Sequence, residues 1–197
     1  MSTSMCFLII LLSFYVTAYA RIHPLMHPAQ NQPKNSSPDI VAKACEPSTE
    51  KDLCVTVLKT QSISDVNDLK QAAFVAIQTA TGEASATSEL IKAARKREEN
   101  KEVVEDGIEE ETLADCAMSY ISLVEILGHA SNALMNGPEK DVLNEVKEAM
   151  TTAELCDKSI AGGRKSPMVE EVAKKNENVR KLCSNALSVY NVYAAGH

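Results

Sequence analysis

From Pro38 onward no segment alternates apolar and polar residues; apolar side chains recur instead at steps of three and four. That period belongs to the α-helix and excludes a half-buried strand. One short stretch and four long ones carry it. Residues 65–97 set Val66, Leu69, Ala73, Ala76 and Ala80 on one stripe, which resumes through Ala84, Thr87, Ile91 and Ala94. The step of four between its halves is a stutter, which shifts the seam without ending the helix. Asp106 and Glu109 have the spacing of a capping box. The helix they open carries Leu113, Ala117, Tyr120, Val124, Leu127, Ser131 and Leu134. Asn136-Gly137-Pro138 ends it and starts the next, with Pro138 acceptable in the first turn, where a missing N–H does no harm. Val142, Val146, Ala149, Ala153, Cys156 and Ile160 follow, up to Gly162-Gly163. Ser166-Pro167 caps the last helix, whose stripe is Val172, Asn176, Val179, Cys183, Ala186, Tyr190 and Tyr193. The short stretch, Asp39 to Lys59, is broken at Glu46-Pro47-Ser48-Thr49.

Four long stripes joined by short turns predict an all-α fold. It is an up-down-up-down four-helix bundle over residues 61–197, preceded by a short disulfide-clipped helical hairpin over 38–60. Aromatic residues make up only 4% of the chain and alanine fills the stripes, so the helices can approach closely around a thin core. Disulfides help to hold such a core.

The cysteines fit this plan. Cys116 lies 20 residues before Asn136 and Cys156 lies 20 after it. Residues equidistant from the turn of an antiparallel hairpin sit side by side, so the two meet about 30 Å from that turn. Cys45 and Cys54 flank the Pro47 turn in the same way. Cys183 remains on the core stripe of the last helix, where a free thiol acts as a small apolar residue. Zinc is the competing use for five cysteines. The chain has no C-x2-C, and His129 has no cysteine at ligand spacing, so no metal is expected.

The two ends of the chain differ. Residues 1–20 carry no charge, and the apolar run Phe7–Tyr15 leads to Ala18-Tyr19-Ala20. The pattern predicts a secretory signal peptide, although its start lacks Lys and Arg. Cleavage after Ala20 removes Cys6, leaves no membrane span and puts the other cysteines in an oxidising compartment. Residues 21–37 hold Pro24, Pro28 and Pro33 and no apolar periodicity, so an extended arm is expected. Asn35-Ser36-Ser37 is a glycosylation sequon weakened by Pro38. His23 and His27 are four apart, but the prolines beside them prevent the helix that would make them metal ligands.

With a net charge of −7 and a pI near 5.2, the chain is repelled by nucleic-acid phosphates and suits a basic partner or an acidic medium. Glu98, Glu99, Glu102, Glu105, Asp106, Glu109, Glu110 and Glu111 form an acidic run. It is expected to be a solvated face that complements a helix N-terminus, with docking of a basic partner as its sharper use. No nucleophile elbow, zinc-protease motif, P-loop or dinucleotide fingerprint occurs. His23, His27 and His197 lie in the arm or at the terminus, and His129 reads as an exposed helix residue. No enzyme activity and no cofactor are expected.

Four segments carry a family pattern. They are the C-x8-C of Cys45 and Cys54 with Leu58, then Leu113-Ala114-Asp115-Cys116 with Tyr120, then Ala149-Met150-Thr151-Thr152 with Cys156, then Leu182-Cys183-Ser184-Asn185-Ala186-Leu187. In this order, and with both cysteine spacings, residues 38–195 resemble the plant invertase and pectin methylesterase inhibitors. The resemblance implies a four-helix bundle behind a small helical hairpin, disulfides Cys45–Cys54 and Cys116–Cys156, and a free Cys183. It implies a monomeric protein of the apoplast or cell wall, or of the vacuole if invertase is the target. Such a protein reversibly covers the substrate cleft of a carbohydrate-active enzyme. Invertase-directed members can carry Pro-Lys-Phe after the second long helix, where this chain has Pro138-Glu139-Lys140. Esterase-directed members commonly carry Thr before the fourth cysteine, where this chain has Leu155. Pectin methylesterase is the expected target and acid invertase, engaged through Pro138, Glu139 and Lys140, the alternative. A secreted ligand carrier is a third possibility, disfavoured by the small-residue stripes. Helical phase turns Ser119, Ser122, Thr151 and Thr152 to solvent as the expected partner contacts.

Overall fold

The computed structural model describes residues 38–60, 66–99, 108–163 and 165–196. They form six helices: α1 Pro38–Cys45, α2 Lys51–Thr60, α3 Leu69–Glu99, α4 Ile108–Asn136, α5 Lys140–Gly162 and α6 Pro167–Ala194. No strand occurs among the described residues. The leader over 1–20, the arm over 21–37 with His23, His27 and Asn35, the acidic residues within 100–107 including Asp106, and His197 lie outside the described residues.

Helices α3 to α6 close a ring in which α3 packs on α4 and α6, and α5 packs on α4 and α6. The stripes point inward. Each stripe residue is buried except Leu69, Val124 and Ile160, which are half-buried. Hydroxyls along α3 are satisfied within their own helix: Thr79, Thr81, Ser85 and Thr87 each donate to the carbonyl four residues back. That allows Thr87 to sit on a core stripe.

Local chemistry sets the helix ends. Ser166 Oγ accepts from Val169 N at 3.1 Å, and Pro167 occupies the first turn of α6. Asp68 Oδ1 accepts from Gln71 N at 2.7 Å, so α3 starts at Leu69 rather than at residue 65. Pro138 does not enter the first turn of α5. That helix begins at Lys140, because the carbonyls of Pro138 and Glu139 are taken by Asp141 N and Val142 N, a tight three-residue spacing.

The hairpin α1–α2 packs on α3 and α6. Ala72, Val75, Leu182, Asn185 and Val189 lie off the stripes and are buried too, so α3 and α6 each carry a second buried face. Ser48 in the hairpin turn donates a hydrogen bond to Asn185 Oδ1. Disulfides join Cys45 to Cys54 and Cys116 to Cys156, with Cα–Cα distances of 5.7 and 4.5 Å. Cys183 is a buried free thiol.

A polar cluster crosses the ring. Tyr120 OH donates to Asn176 Oδ1 at 2.8 Å. Asn176 Nδ2 donates to the Ala153 carbonyl at 3.1 Å and to Asp157 Oδ1 at 2.6 Å. Arg180 Nη1 closes on Asp157 Oδ2 at 2.5 Å. Thr87 of α3 also faces the phenol, so all four long helices meet here.

Burial raises several proton affinities. It pushes the Cys183 thiol from 9.0 up to about 12, and it also raises the phenols of Tyr120, Tyr190 and Tyr193. The unfolded chain therefore releases these protons first. Their contribution to stability is intact below pH 9.0 and falls as pH rises toward the folded-state value of about 12. Urea unfolding should show a lower midpoint at about pH 10.5 than at about pH 8. Cys183→Ala should flatten the early part of that decline; an unchanged midpoint in the natural chain would count against the linkage.

Candidate partner-binding groove

The hairpin occupies the α3–α6 side of the ring, and α4 and α5 lie on the opposite side. Between these two helices runs a groove of about 600 Å³. Helix α4 contributes Asp115, Met118, Ser119, Ser122 and Ile126, and α5 contributes Glu148, Thr152, Leu155, Lys158 and Ser159. Spacing explains the set: residues three and four apart on a helix share a face.

The groove is lined mostly by polar and charged side chains, with Met118, Ile126 and Leu155 as its apolar members. Met118 is 71% exposed and Leu155 47% exposed, with Ile121 at 58% beside them on α4. Ser119 Oγ donates to the Asp115 carbonyl at 3.0 Å and Ser159 Oγ to Asp115 Oδ2 at 3.3 Å, so the Asp115 end is tied down. Directly beneath lies the Cys116–Cys156 bridge, both of its cysteines fully buried. It sets the register of α4 against α5 at the level of the groove.

The expected contact residues divide. Ser119, Ser122 and Thr152 come together in the groove. Thr151 is exposed but does not line it; one residue along a helix turns the side chain by about 100°. The hydroxyl of Thr151 is returned to the Lys147 carbonyl at 3.1 Å. Pro138, Glu139 and Lys140 lie at the far end of the α4–α5 pair, roughly 30 Å from Met118 along the helix. Pro138 and Lys140 are exposed, whereas Glu139 is half-buried and turned inward. Its carboxylate receives Lys70 Nζ at 2.7 Å and Tyr193 OH at 2.8 Å, and its carbonyl receives Tyr190 OH at 2.6 Å. The hydrogen bond to Glu139 holds the Lys70 ammonium above its usual proton affinity. This corner therefore joins α3, α5 and α6.

Seven groove residues were not among the expected contacts: Asp115, Glu148, Lys158 and Ser159, and the apolar Met118, Ile126 and Leu155. The last three carried a signal in the chain: each is a large apolar residue off its helix's stripe. His129 is an exposed helix residue 4.0 Å from Glu125. Among the described residues no three His, Cys, Asp or Glu side chains gather as a metal site, and no helix is long and apolar enough to cross a membrane.

Residues 39–189 match the family described as plant invertase/pectin methylesterase inhibitor. Two solved structures share the fold. One is a mutant form of a pectin methylesterase inhibitor from Arabidopsis, at 19% identity and TM-score 0.63, covering 77% of this chain and 95% of that one. The other is a pectin methylesterase inhibitor from Arabidopsis thaliana, at 19% identity and TM-score 0.56, covering 79% of this chain and 96% of that one. No curated protein matches by sequence. A family match across most of the chain, on a hairpin-plus-bundle fold shared with those structures, makes this protein a member of the plant invertase/pectin methylesterase inhibitor family.

Proposed function

We propose that this chain is a secreted inhibitor of pectin methylesterase. It acts as a monomer in the cell wall and has no catalytic activity of its own. Residues 1–20 serve as the cleaved leader, 21–37 as an arm and 38–197 as the inhibitor domain. The α4–α5 groove docks over the enzyme's substrate cleft, burying roughly 800 Å² on the inhibitor side for an interface of standard size. The observation that carries this reading is the uncovered groove on the side of the ring away from the hairpin, in which Met118 and Leu155 are exposed among polar side chains. The corner at Pro138 to Lys140 supports esterase over invertase. Glu139 is committed to Lys70 and Tyr193, so of that turn only Pro138 and Lys140 are exposed toward a cleft.

The test is a titration of the mature protein against a plant pectin methylesterase and a plant acid invertase at mildly acid pH. Loss of esterase activity alone is expected. Loss of invertase activity alone would replace this target with the other. Thr152→Arg should weaken inhibition by at least about tenfold, equal to about 1.4 kcal/mol, by filling the groove with a bulky cation. Thr151→Arg, one residue away but outside the groove, should change it far less. Equal effects from the two would remove the groove from the contact.

A further inference from the structure

Met118 is the most exposed large apolar side chain among the described residues, and it stands in the groove rather than beside it. Its neighbours there include Leu155 across the groove and the hydroxyls of Ser119 and Ser122 on its own helix. The other methionines of the described helices differ in place or access. Met135 is 51% exposed but lies near the turn end of α4, and Met150 and Met168 are half-buried. A thioether in the open reacts with peroxides, and the product is polar where the parent was apolar.

We propose that Met118 is an oxidation site that switches the groove off. The inference rests on the groove being the enzyme-binding surface. In the step, a sulfur lone pair of Met118 attacks one oxygen of hydrogen peroxide and the O–O bond breaks. The sulfur, oxidised by two electrons, becomes a sulfoxide, and the peroxide is reduced to water. The sulfoxide places a strong hydrogen-bond acceptor where the thioether offered apolar surface to a partner. Burying it against a partner without a donor opposes docking. Methionine sulfoxide reductases reverse the change, so the switch is resettable. Its position gives it selectivity: Met135 offers a similar thioether roughly 25 Å away, outside the groove.

The experiment treats the mature protein with dilute hydrogen peroxide and follows each methionine by peptide mass mapping. Inhibition of pectin methylesterase is titrated before and after. Met118 should oxidise ahead of Met150 and Met168, and potency should fall by about tenfold as its sulfoxide accumulates. Sulfoxide reductases of both epimer specificities should restore it. Whatever its own starting potency, Met118→Leu should lose no more on treatment, whereas Met135→Leu should lose as much as the natural chain. Complete sulfoxidation of Met118 with unchanged potency would overturn the proposal and leave the inhibitory function standing. Oxidation of the half-buried methionines before Met118 would overturn it as well. Untreated protein that fails to inhibit the esterase would sink the functional reading first, and this proposal with it.

Discussion

Replacing Cys116 and Cys156 together by alanine should lower the unfolding free energy by about 4 kcal/mol. The bridge closes a loop with a sequence separation of 40 residues, so in the unfolded chain it removes much more freedom than the Cys45–Cys54 bridge, whose separation is 9. On the same chain-entropy basis the smaller loop contributes about 2.7 kcal/mol. Both cysteines of the larger bridge are changed at once, because a single change would leave a new thiol able to attack the remaining Cys45–Cys54 disulfide. Alanine is preferred to serine because the site is fully buried and a hydroxyl would lack a partner. Urea unfolding of the two double variants beside the natural chain measures the order. A larger loss from the hairpin bridge would mean that loop length is not what governs these disulfides. Inhibition should also weaken in the Cys116 and Cys156 double variant below its unfolding midpoint, since the bridge fixes Asp115 and Ser119 against Leu155 and Ser159.

Asn176→Leu should cost about 3 kcal/mol. The side chain is completely buried and satisfies three groups at once: the Tyr120 phenol, the Ala153 carbonyl and the Asp157 carboxylate. Leucine fits the apolar stripe but removes the phenol's acceptor and one donor each from the Ala153 carbonyl and from Asp157, which keeps Arg180. Tyr120→Phe alone should cost about 1.5 kcal/mol, because it removes one member of the cluster and frees an acceptor. Adding Tyr120→Phe to Asn176→Leu should cost little more, since the phenol it deletes has already lost its acceptor. A double-mutant cycle from denaturant unfolding reads this as a coupling of about 1 kcal/mol or more. Strictly additive losses would show that the two side chains do not act as one unit. Placed among apolar residues of the α6 stripe, a satisfied asparagine favours one register of the bundle over neighbouring ones.

Much of this molecule is written locally in the chain. The steps of three and four mark the helices, because one turn of helix brings those residues onto one face. Ser166-Pro167 marks the start of α6, because the cap is made within three residues of itself. The Cys116–Cys156 bridge follows from two equal distances to Asn136, which need only a straight antiparallel pair. Other features depend on segments that return from far along the chain. The hairpin's seat on α3 and α6 was not visible in their stripes; it shows in the burial of Ala72, Val189 and Asn185, the last bonded to Ser48 from 137 residues away. Glu139 looks like an exposed turn residue in the sequence, and it turns inward only because Lys70 and Tyr193 converge on it from the other two helices of that corner. Thr151 and Thr152 are equally polar and adjacent, yet one lines the groove and the other does not. Helical phase fixes the angle between them, but the groove exists only where α4 and α5 meet at a given register, and that register is a property of the assembled ring.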